Sequence, residues 1–230
     1  MTERRTVPHP SSDGVRKEKP VAGSPPAHYV ICRMHARHTP AQAGAVLNTQ
    51  EPRDDPVAIQ EMRDQALLDL LDGPVTPSNL ANIPALASRL NGLMATAIVS
   101  WLCAEQYVSL LSGARRDATD VLLSCADTAR GQIRDLARRI CELGCSPQFD
   151  PVRVVAQSHT CYREFPAGDS AGMVAETLRG RRIVIQLCQE YVRWVGDADP
   201  SSRRLIERIL EQEETDAGKL RGVLHDHRSA

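Results

Sequence analysis

The stretch Pro200–Leu224 reads PSSRRLIERILEQEETDAGKLRGVL, and its apolar residues recur at three- and four-residue steps. This period is typical of a helix with one apolar face, which has to be buried against other helices. We expect Ser201 or Ser202 to cap its first turn. Two acidic residues, Glu213 and Asp216, stand three positions apart and therefore share one face of the helix.

Three further long helices are predicted upstream. Apolar periodicity indicates them over Pro84–Ser112, Asp117–Leu143 and Ser170–Val195. The links at both ends of this series are short, whereas residues 148–168 form a long central connection with weak helical character. Four helices joined in this way predict an all-α four-helix bundle with a long central crossover, because such a link joins two parallel helices across a bundle.

The first 80 residues precede this bundle. Residues 1–55 are rich in Pro, Ser and charged residues without a sustained period, so we expect a disordered tail. A short amphipathic helix over Pro56–Leu71 and a linker fill residues 56–80, and the bundle spans residues 81–228. One island in the tail, HYVICRMHARH, contains four residues of metal-binding type whose role the sequence leaves open: His28, Cys32, His35 and His38.

The composition argues against several classes of function. Hydrophobic residues make up 42% and charged residues 25% of the 230 residues, as in an ordinary soluble domain. The formal net charge of −1 gives no general attraction to nucleic acid. We find no apolar run of about 18 residues and no apolar signal segment, so we expect no membrane span and a cytoplasmic location. The sequence also lacks a glycine-rich phosphate loop, Gly-x-Ser-x-Gly and HExxH.

The seven cysteines are an odd number, and most lie in helical patterns beside apolar residues. We therefore expect small buried thiols in a reducing cytosol. Cys141 and Cys145 stand four positions apart at a helix end, as a metal or redox pair would, but no second Cys/His pair matches them. His159 lies close to Cys161 in the crossover. A Cys–His nucleophile needs a preorganised pocket, which adjacency in a loop does not supply.

Three landmarks stand out within the four predicted helices. They are Leu90-Asn91, the segment LARRICELGCSP from Leu136 to Pro147, and GDADPSSRRLIERIL from Gly196 to Leu210, with Glu213-Glu214 after it. Through these landmarks the chain resembles, from about Ala85 to Leu224, the ferritin-like superfamily, especially its bacterioferritin and Dps-type branches. The resemblance implies a ferritin-like four-helix bundle that assembles into an oligomer.

Active members of that superfamily bind two irons inside the bundle through six ligands: one Glu from each of two helices and a Glu-x-x-His pair from each of the others. The resemblance gives the matching positions in this chain as Ala97 (Ser100 in a second register), Ala129, Gln132, Arg181, Glu213 and Asp216. Only Glu213 keeps the expected residue, and Asp216 replaces a His. The resemblance thus implies a degenerate di-iron site without catalytic or cofactor-binding residues. Glu213 and Asp216 are the remaining candidate metal ligands, and iron is the one cofactor left open.

Two questions about charge follow from this comparison. Arg181 either points inward and pairs with Glu213 and Asp216, supplying the positive charge that iron would give, or lies at the surface on a rotated helix. The second question is whether metal ligands lie at other positions than those of the family. Glu105, Asp127 and Asp135 are the candidates, although a solvated face is the ordinary position for such residues.

Three functions are compatible with the sequence. The resemblance favours a non-catalytic ferritin/Dps-like subunit with a structural, co-assembling or sequestering role related to iron storage. It would form a homo-oligomer or co-assemble with an active ferritin-like subunit. The alternative is an iron-binding ferroxidase or iron-storage protein with an altered site. The second alternative is a small helical protein-interaction module, in which the helix at 56–71 covers the face that ferritins use for assembly.

Overall fold

A computed structural model describes residues 55–68, 74–76, 78–111 and 116–229 of the chain. The predicted tail, with His28, Cys32, His35 and His38, falls outside the described residues apart from Asp55. The described residues form helices and no strands, so the all-α prediction is confirmed. The helices are α1 (Pro56–Leu68), α2 (Ile83–Leu110), α3 (Arg116–Glu142), α4 (Pro151–Gln157), α5 (Ser170–Val195) and α6 (Pro200–Ser229).

The four long helices pack as two pairs, α2 with α3 and α5 with α6, and the pairs meet through α2 against α5 and α3 against α6. Short links make each pair antiparallel. The chain leaves α3 through Gly144 and α5 through Gly196, which have φ angles of 73° and 52°. These positive φ values favour glycine, so both residues end their helices, next to the predicted helix ends at Leu143 and Val195.

The crossover runs along α2 and is attached to it at successive points. The Gln148 backbone N–H donates to Asn91 Oδ1 at 2.7 Å, near the start of α2. Further along, the Thr96 hydroxyl accepts from the backbone N–H of His159 at 3.0 Å. Near the end of α2, the Tyr107 hydroxyl donates to the Arg163 carbonyl at 2.9 Å. The crossover therefore returns the chain along the bundle before α5 begins, which makes α5 parallel to α3.

The cap of α6 differs from the prediction. Asp199 is the capping residue, since its Oδ1 accepts from the backbone N–H groups of Ser201 and Ser202 at 3.1 Å each. Pro200 fills the first helical position, where its fixed φ suits a helix and its missing N–H costs nothing. The residue before this proline is therefore the one that has a non-helical backbone and can cap. The expectation of Ser201 or Ser202 was wrong for this reason.

Arg139 of α3 joins this cap, and with Asp199 and Ser202 it forms what we call the end cluster. Its Nη2 donates to both carboxylate oxygens of Asp199 at 3.0 and 2.8 Å, and its Nε donates to Ser202 Oγ at 2.9 Å. Ser202 Oγ donates to Asp199 Oδ2 at 2.7 Å. Burial alone would raise the pKa of Asp199, but the hydrogen bonds from Arg139 and Ser202 lower it below its ordinary value. The end cluster thus holds the turn before α6 against α3.

Leu, Ile, Val, Met and Ala fill the core in two clusters along the bundle. α2 contributes to both clusters and is the most apolar long helix, with an 18-residue window of mean hydropathy 1.3. By length and composition it is the one described helix that would be able to span a membrane, contrary to the expectation that no run is apolar enough. Half of that window is buried inside the bundle, as expected for a core helix.

α1 stands apart from the other elements. Among the described helices it packs against none of the other five. It ends at Leu68, and residues 69–73, where the predicted helix would finish, lie outside the described part of the chain. The hypothesis that this helix covers a face of the bundle therefore gains no support.

Candidate functional site

The positions that match the family's ligands all lie inside the bundle. Ala97 of α2, Ala129 and Gln132 of α3, Arg181 of α5, and Glu213 and Asp216 of α6 are all buried. Ser100, the position in the second register, is half-buried. These side chains therefore lie inside the bundle, where a di-iron site would have its ligands. Most of them, however, are not residue types that bind iron.

Arg181 and Glu213 form an ion pair in the interior. Arg181 Nη1 donates to Glu213 Oε1 at 2.6 Å, and the two side chains are 4% and 0% exposed. Gln132 Nε2 donates to the same oxygen at 2.7 Å, and Arg181 Nη2 donates to the Cys125 carbonyl at 2.8 Å. Of the two positions that the sequence left open for Arg181, the structure has the inward one. We call Gln132, Arg181, Glu213 and Asp216 the central cluster.

Asp216 lies one turn beyond Glu213 and has its own partners on α6. Its Oδ1 accepts from Lys219 Nζ and from Gln212 Nε2, each at 3.1 Å. Asp216 is fully buried, whereas the Lys219 side chain is 49% exposed. The predicted direct pairing with Arg181 does not occur, because Lys219 on the next turn supplies the closer positive charge.

The central cluster leaves three buried polar atoms without a hydrogen-bond partner: Arg181 Nε, Glu213 Oε2 and Asp216 Oδ2. Buried polar atoms in native proteins nearly always have a partner. Burial raises the pKa of the Glu213 carboxyl above its ordinary value, and Arg181 and Gln132 offset this effect only in part. The central cluster therefore pairs Glu213 with Arg181 while leaving part of its hydrogen bonding unmet.

We tested whether these residues fit a pair of irons. Two irons need several carboxylate oxygens and imidazole nitrogens that converge from all four helices. Here Arg181 and Gln132 occupy one oxygen of Glu213, and Lys219 and Gln212 occupy one oxygen of Asp216. Among the described residues, no three His, Cys, Asp or Glu side chains are grouped closely enough to hold a metal ion. The central cluster does not fit a di-iron centre.

The three candidate relocated ligands lie elsewhere, each beside an arginine. Glu105 is 39% exposed and accepts from Arg130 Nη2 at 2.6 Å. Asp127, which also pairs with Arg130, and Asp135, which pairs with Arg138, have side chains that are 65% and 40% exposed. None of them is brought to the central cluster by a described contact. They are solvated carboxylates, which is the ordinary position for such residues.

Sequence reasoning placed Gln132 at a lost ligand position and missed its role. The amide donates to Glu213, so it partners the carboxylate from a third helix. The signal was present, since Gln132 and Glu213 both fall at ligand positions and such positions converge in space. The Cys125 carbonyl was also missed, and a backbone acceptor leaves no trace in a sequence pattern.

The cysteines divide by exposure. Cys103, Cys125 and Cys188 are buried, as expected, whereas Cys141 and Cys161 are exposed. His159 is engaged with Thr96, since its Nδ1 lies 3.1 Å from the Thr96 hydroxyl. Its ring packs over Gly92, where an added Cβ would lie 3.4 Å from His159 Cε1. The structure thus gives His159 a docking role on α2, away from a Cys–His nucleophile.

Four long helices with the crossover between the second and third define the ferritin-like fold. No protein-family model and no curated protein matches the chain. The chain is similar to solved structures of that fold. A dodecameric thioferritin, the bacterioferritin-related protein of Bacteroides fragilis, is 22% identical, with 65% of this chain and 90% of that protein covered and a TM-score of 0.62.

Two Dps structures give similar values. Dps from Thermosynechococcus elongatus is 19% identical over 61% of this chain and 90% of its own, with a TM-score of 0.57. An archaeal Dps homologue from Halobacterium salinarum is 21% identical over 62% of this chain and 80% of its own, with a TM-score of 0.58. At these identities the comparisons establish the fold.

Proposed function

We propose that this chain is a non-catalytic ferritin/Dps-like subunit, with a structural, co-assembling or sequestering role related to iron storage. One observation carries the proposal. Where active ferritins converge carboxylates on iron, Arg181 donates to Glu213 at 2.6 Å in a fully buried pair. A guanidinium repels cations and occupies the carboxylate oxygen that iron would need, so the interior keeps its charge balance without metal.

Assembly has separate support. One solved structure of the same fold is described as a dodecamer. On this chain, Phe149 and two residues of α4, Val152 and Val155, expose large apolar side chains at three-residue steps. Such a row at one surface is more typical of an interface than scattered apolar residues are. We therefore propose that a second copy of the chain covers this row in a homo-oligomer.

Iron handling tests the proposal directly. Purified protein is loaded with Fe(II) in air while oxygen consumption and retained iron per subunit are measured. We expect oxygen consumption equal to that of protein-free buffer, and the same retained iron for the parent and for Glu213→Ala. Oxygen consumption above the blank that is lost in Glu213→Ala would overturn the non-catalytic role.

Mass in solution tests assembly. Light scattering on the parent is expected to give a many-subunit particle, and Val152→Glu is expected to reduce its mass while circular dichroism stays unchanged. A monomeric parent would overturn the assembly proposal and favour the small interaction module. Mixing the parent with an active ferritin-like subunit before the measurement tests co-assembly in the same experiment.

The alternative of an altered iron site has one observation in its favour. Glu213 Oε2 and Asp216 Oδ2 are buried carboxylate oxygens without a partner, and they lie one helical turn apart. Two carboxylates together with waters can bind one cation. In that case Fe(II) or Mn(II) would raise the melting temperature of the parent and leave Glu213→Ala unchanged.

A further inference from the structure

A small cavity lies between α2, the crossover and α5, and Arg181 of the central cluster is among its lining residues. It has a volume of about 30 Å³, enough for a molecule of the size of water or hydrogen peroxide. Two of its lining residues are thiols, Cys103 and Cys161. Tyr107, Thr160, Glu176 and Arg181 also line it.

The two thiols of this cavity occupy different environments. Cys161 lies on the crossover and is exposed, whereas Cys103 lies on α2 and is buried. Burial raises the pKa of the Cys103 thiol, and hydrogen bonds with the Arg163 backbone and the Tyr107 hydroxyl offset this in part. An oxidant in solvent therefore reaches Cys161 before Cys103, which is buried at the same cavity.

Arg181 adds a positive charge at this cavity. Its Nε is buried and has no hydrogen-bond partner, while both of its Nη atoms are engaged by Glu213 and Cys125. A guanidinium N–H can donate to a peroxide oxygen. The cavity thus combines an exposed thiol, a second thiol and a cation with a free donor.

We propose that Cys103 and Cys161 form a peroxide-reactive dithiol. The Cys161 thiolate attacks one oxygen of hydrogen peroxide, so that an S–O bond forms, the O–O bond breaks and hydroxide leaves to take up a proton as water. Cys103 then loses its proton and attacks the Cys161 sulfur, so that the S–S bond forms, the S–O bond breaks and a second water leaves. Peroxide is reduced by two electrons, both thiols are oxidised, and a thiol reductant restores the pair.

The other described cysteines provide contrasts. Cys141 is exposed but does not line this cavity, so it is a matched control for exposure without a partner thiol. Cys125 and Cys188 are fully buried and also lie outside the cavity lining. The proposal therefore predicts selectivity among thiols, which exposure alone would not give.

Peptide mapping of the full chain tests the proposal. Metal-free protein with a chelator is treated with a small excess of hydrogen peroxide, blocked with N-ethylmaleimide and digested without reductant. We expect a cross-linked peptide pair that contains Cys103 and Cys161, reversal by dithiothreitol, and the same product from Cys141→Ser. Oxidation of Cys161 to sulfinic acid without this cross-link, or a cross-link through Cys141, would overturn the proposal.

Two variants separate the roles of the thiols. In Cys103→Ser we expect Cys161 to react at an unchanged rate and to accumulate as a sulfenic acid that dimedone traps. In Cys161→Ser we expect Cys103 to stay reduced at the same dose. Oxidation of Cys103 in that variant at the same dose would show that the proposed order of attack is wrong. The mapping of the parent decides the pairing even if either variant folds poorly.

Discussion

The end cluster and the central cluster each bury an arginine–carboxylate pair, and they differ in how completely their polar atoms are satisfied. Around Asp199, Arg139, Ser202 and two backbone N–H groups fill both carboxylate oxygens. Around Glu213, one oxygen takes both donors and three buried atoms of the cluster have no partner. The end cluster is fully hydrogen-bonded around Asp199 and holds the turn before α6 against α3. The central cluster holds a buried ion pair whose hydrogen bonding is incomplete.

The largest expected effect is in the central cluster. Replacing Arg181→Met leaves the buried carboxylate of Glu213 without its cation, which costs roughly 3–5 kcal/mol in comparable buried pairs. Urea unfolding at one fixed protein concentration measures this loss. We expect Arg181→Met/Glu213→Leu to recover most of it, because two apolar side chains leave no uncompensated charge. A double variant no more stable than the single one would mean that the pair is not the source of the loss.

Breaking the end cluster is expected to cost less. In Arg139→Met, Asp199 keeps the Ser202 hydroxyl, its backbone donors and the N-terminus of α6, so its charge stays stabilised. One charged hydrogen bond is worth about 1.5–3 kcal/mol, and we expect a net loss of about that size because the remaining donors to Asp199 compensate for the others. Urea unfolding measures this loss of stability under the conditions used for Arg181→Met. A loss in Arg139→Met that exceeds the loss in Arg181→Met would reverse the ranking of the two clusters.

The two clusters also show what a sequence can and cannot reveal. Arg181 and Glu213 fall at ligand positions of one resemblance, so their meeting was one of the two arrangements that the sequence left open. Arg139 lies in a landmark segment and Asp199 in another, but no periodicity connects the end of one helix to a turn two elements later. The Asp199-Pro200 dipeptide was the available signal for the cap, since Pro at the first helical position makes the preceding residue the cap.

The helices themselves were the most predictable part. α5 occupies Ser170–Val195 as predicted, and α6 begins at the predicted Pro200. Attachments of the crossover, such as His159 on Thr96, were not predictable, because they depend on tertiary packing of a segment without a period. The cavity that brings Cys103 to Cys161 was missed for the same reason.

The clusters should respond to pH in opposite directions. The pKa of Glu213 is raised above its ordinary value of 4.5, so the native state holds that proton more tightly than the unfolded chain does. Its contribution to stability is present below the ordinary pKa and is lost as pH rises through the raised pKa. The stability of Glu213→Gln relative to the parent is therefore expected to rise with pH above 4.5, by at most about 1.4 kcal/mol per pH unit.

Asp199 gives the opposite trend. Its pKa is lowered from an ordinary value of 3.8, so its contribution is present above that pH and is lost as pH falls through the lowered pKa. The deficit of Asp199→Asn is expected to be complete above pH 3.8 and to shrink in more acidic solution. Urea titrations of the parent and both variants across this range measure the two slopes. Slopes of the same sign would contradict the assigned environments.

The smallest effect is expected at a surface pair that has the same geometry as the central one. Arg130 and Glu105 lie 2.6 Å apart, the distance found between Arg181 and Glu213, but their side chains are 43% and 39% exposed. Exposed pairs contribute about 0–1 kcal/mol. The free energy of unfolding of Glu105→Gln, measured by the same urea titration, is therefore expected to lie within about 1 kcal/mol of that of the parent. A larger loss would show that burial does not explain the difference between the two pairs.

The central claim is that Arg181 provides the positive charge that iron supplies in other bundles of this fold. Anomalous diffraction at the iron edge, on crystals soaked anaerobically in Fe(II), tests it most directly. The account predicts no iron peak beside Glu213 and Asp216 and an intact Arg181–Glu213 contact. A stoichiometric iron peak bound by side chains from at least three helices, with Arg181 displaced, would contradict it.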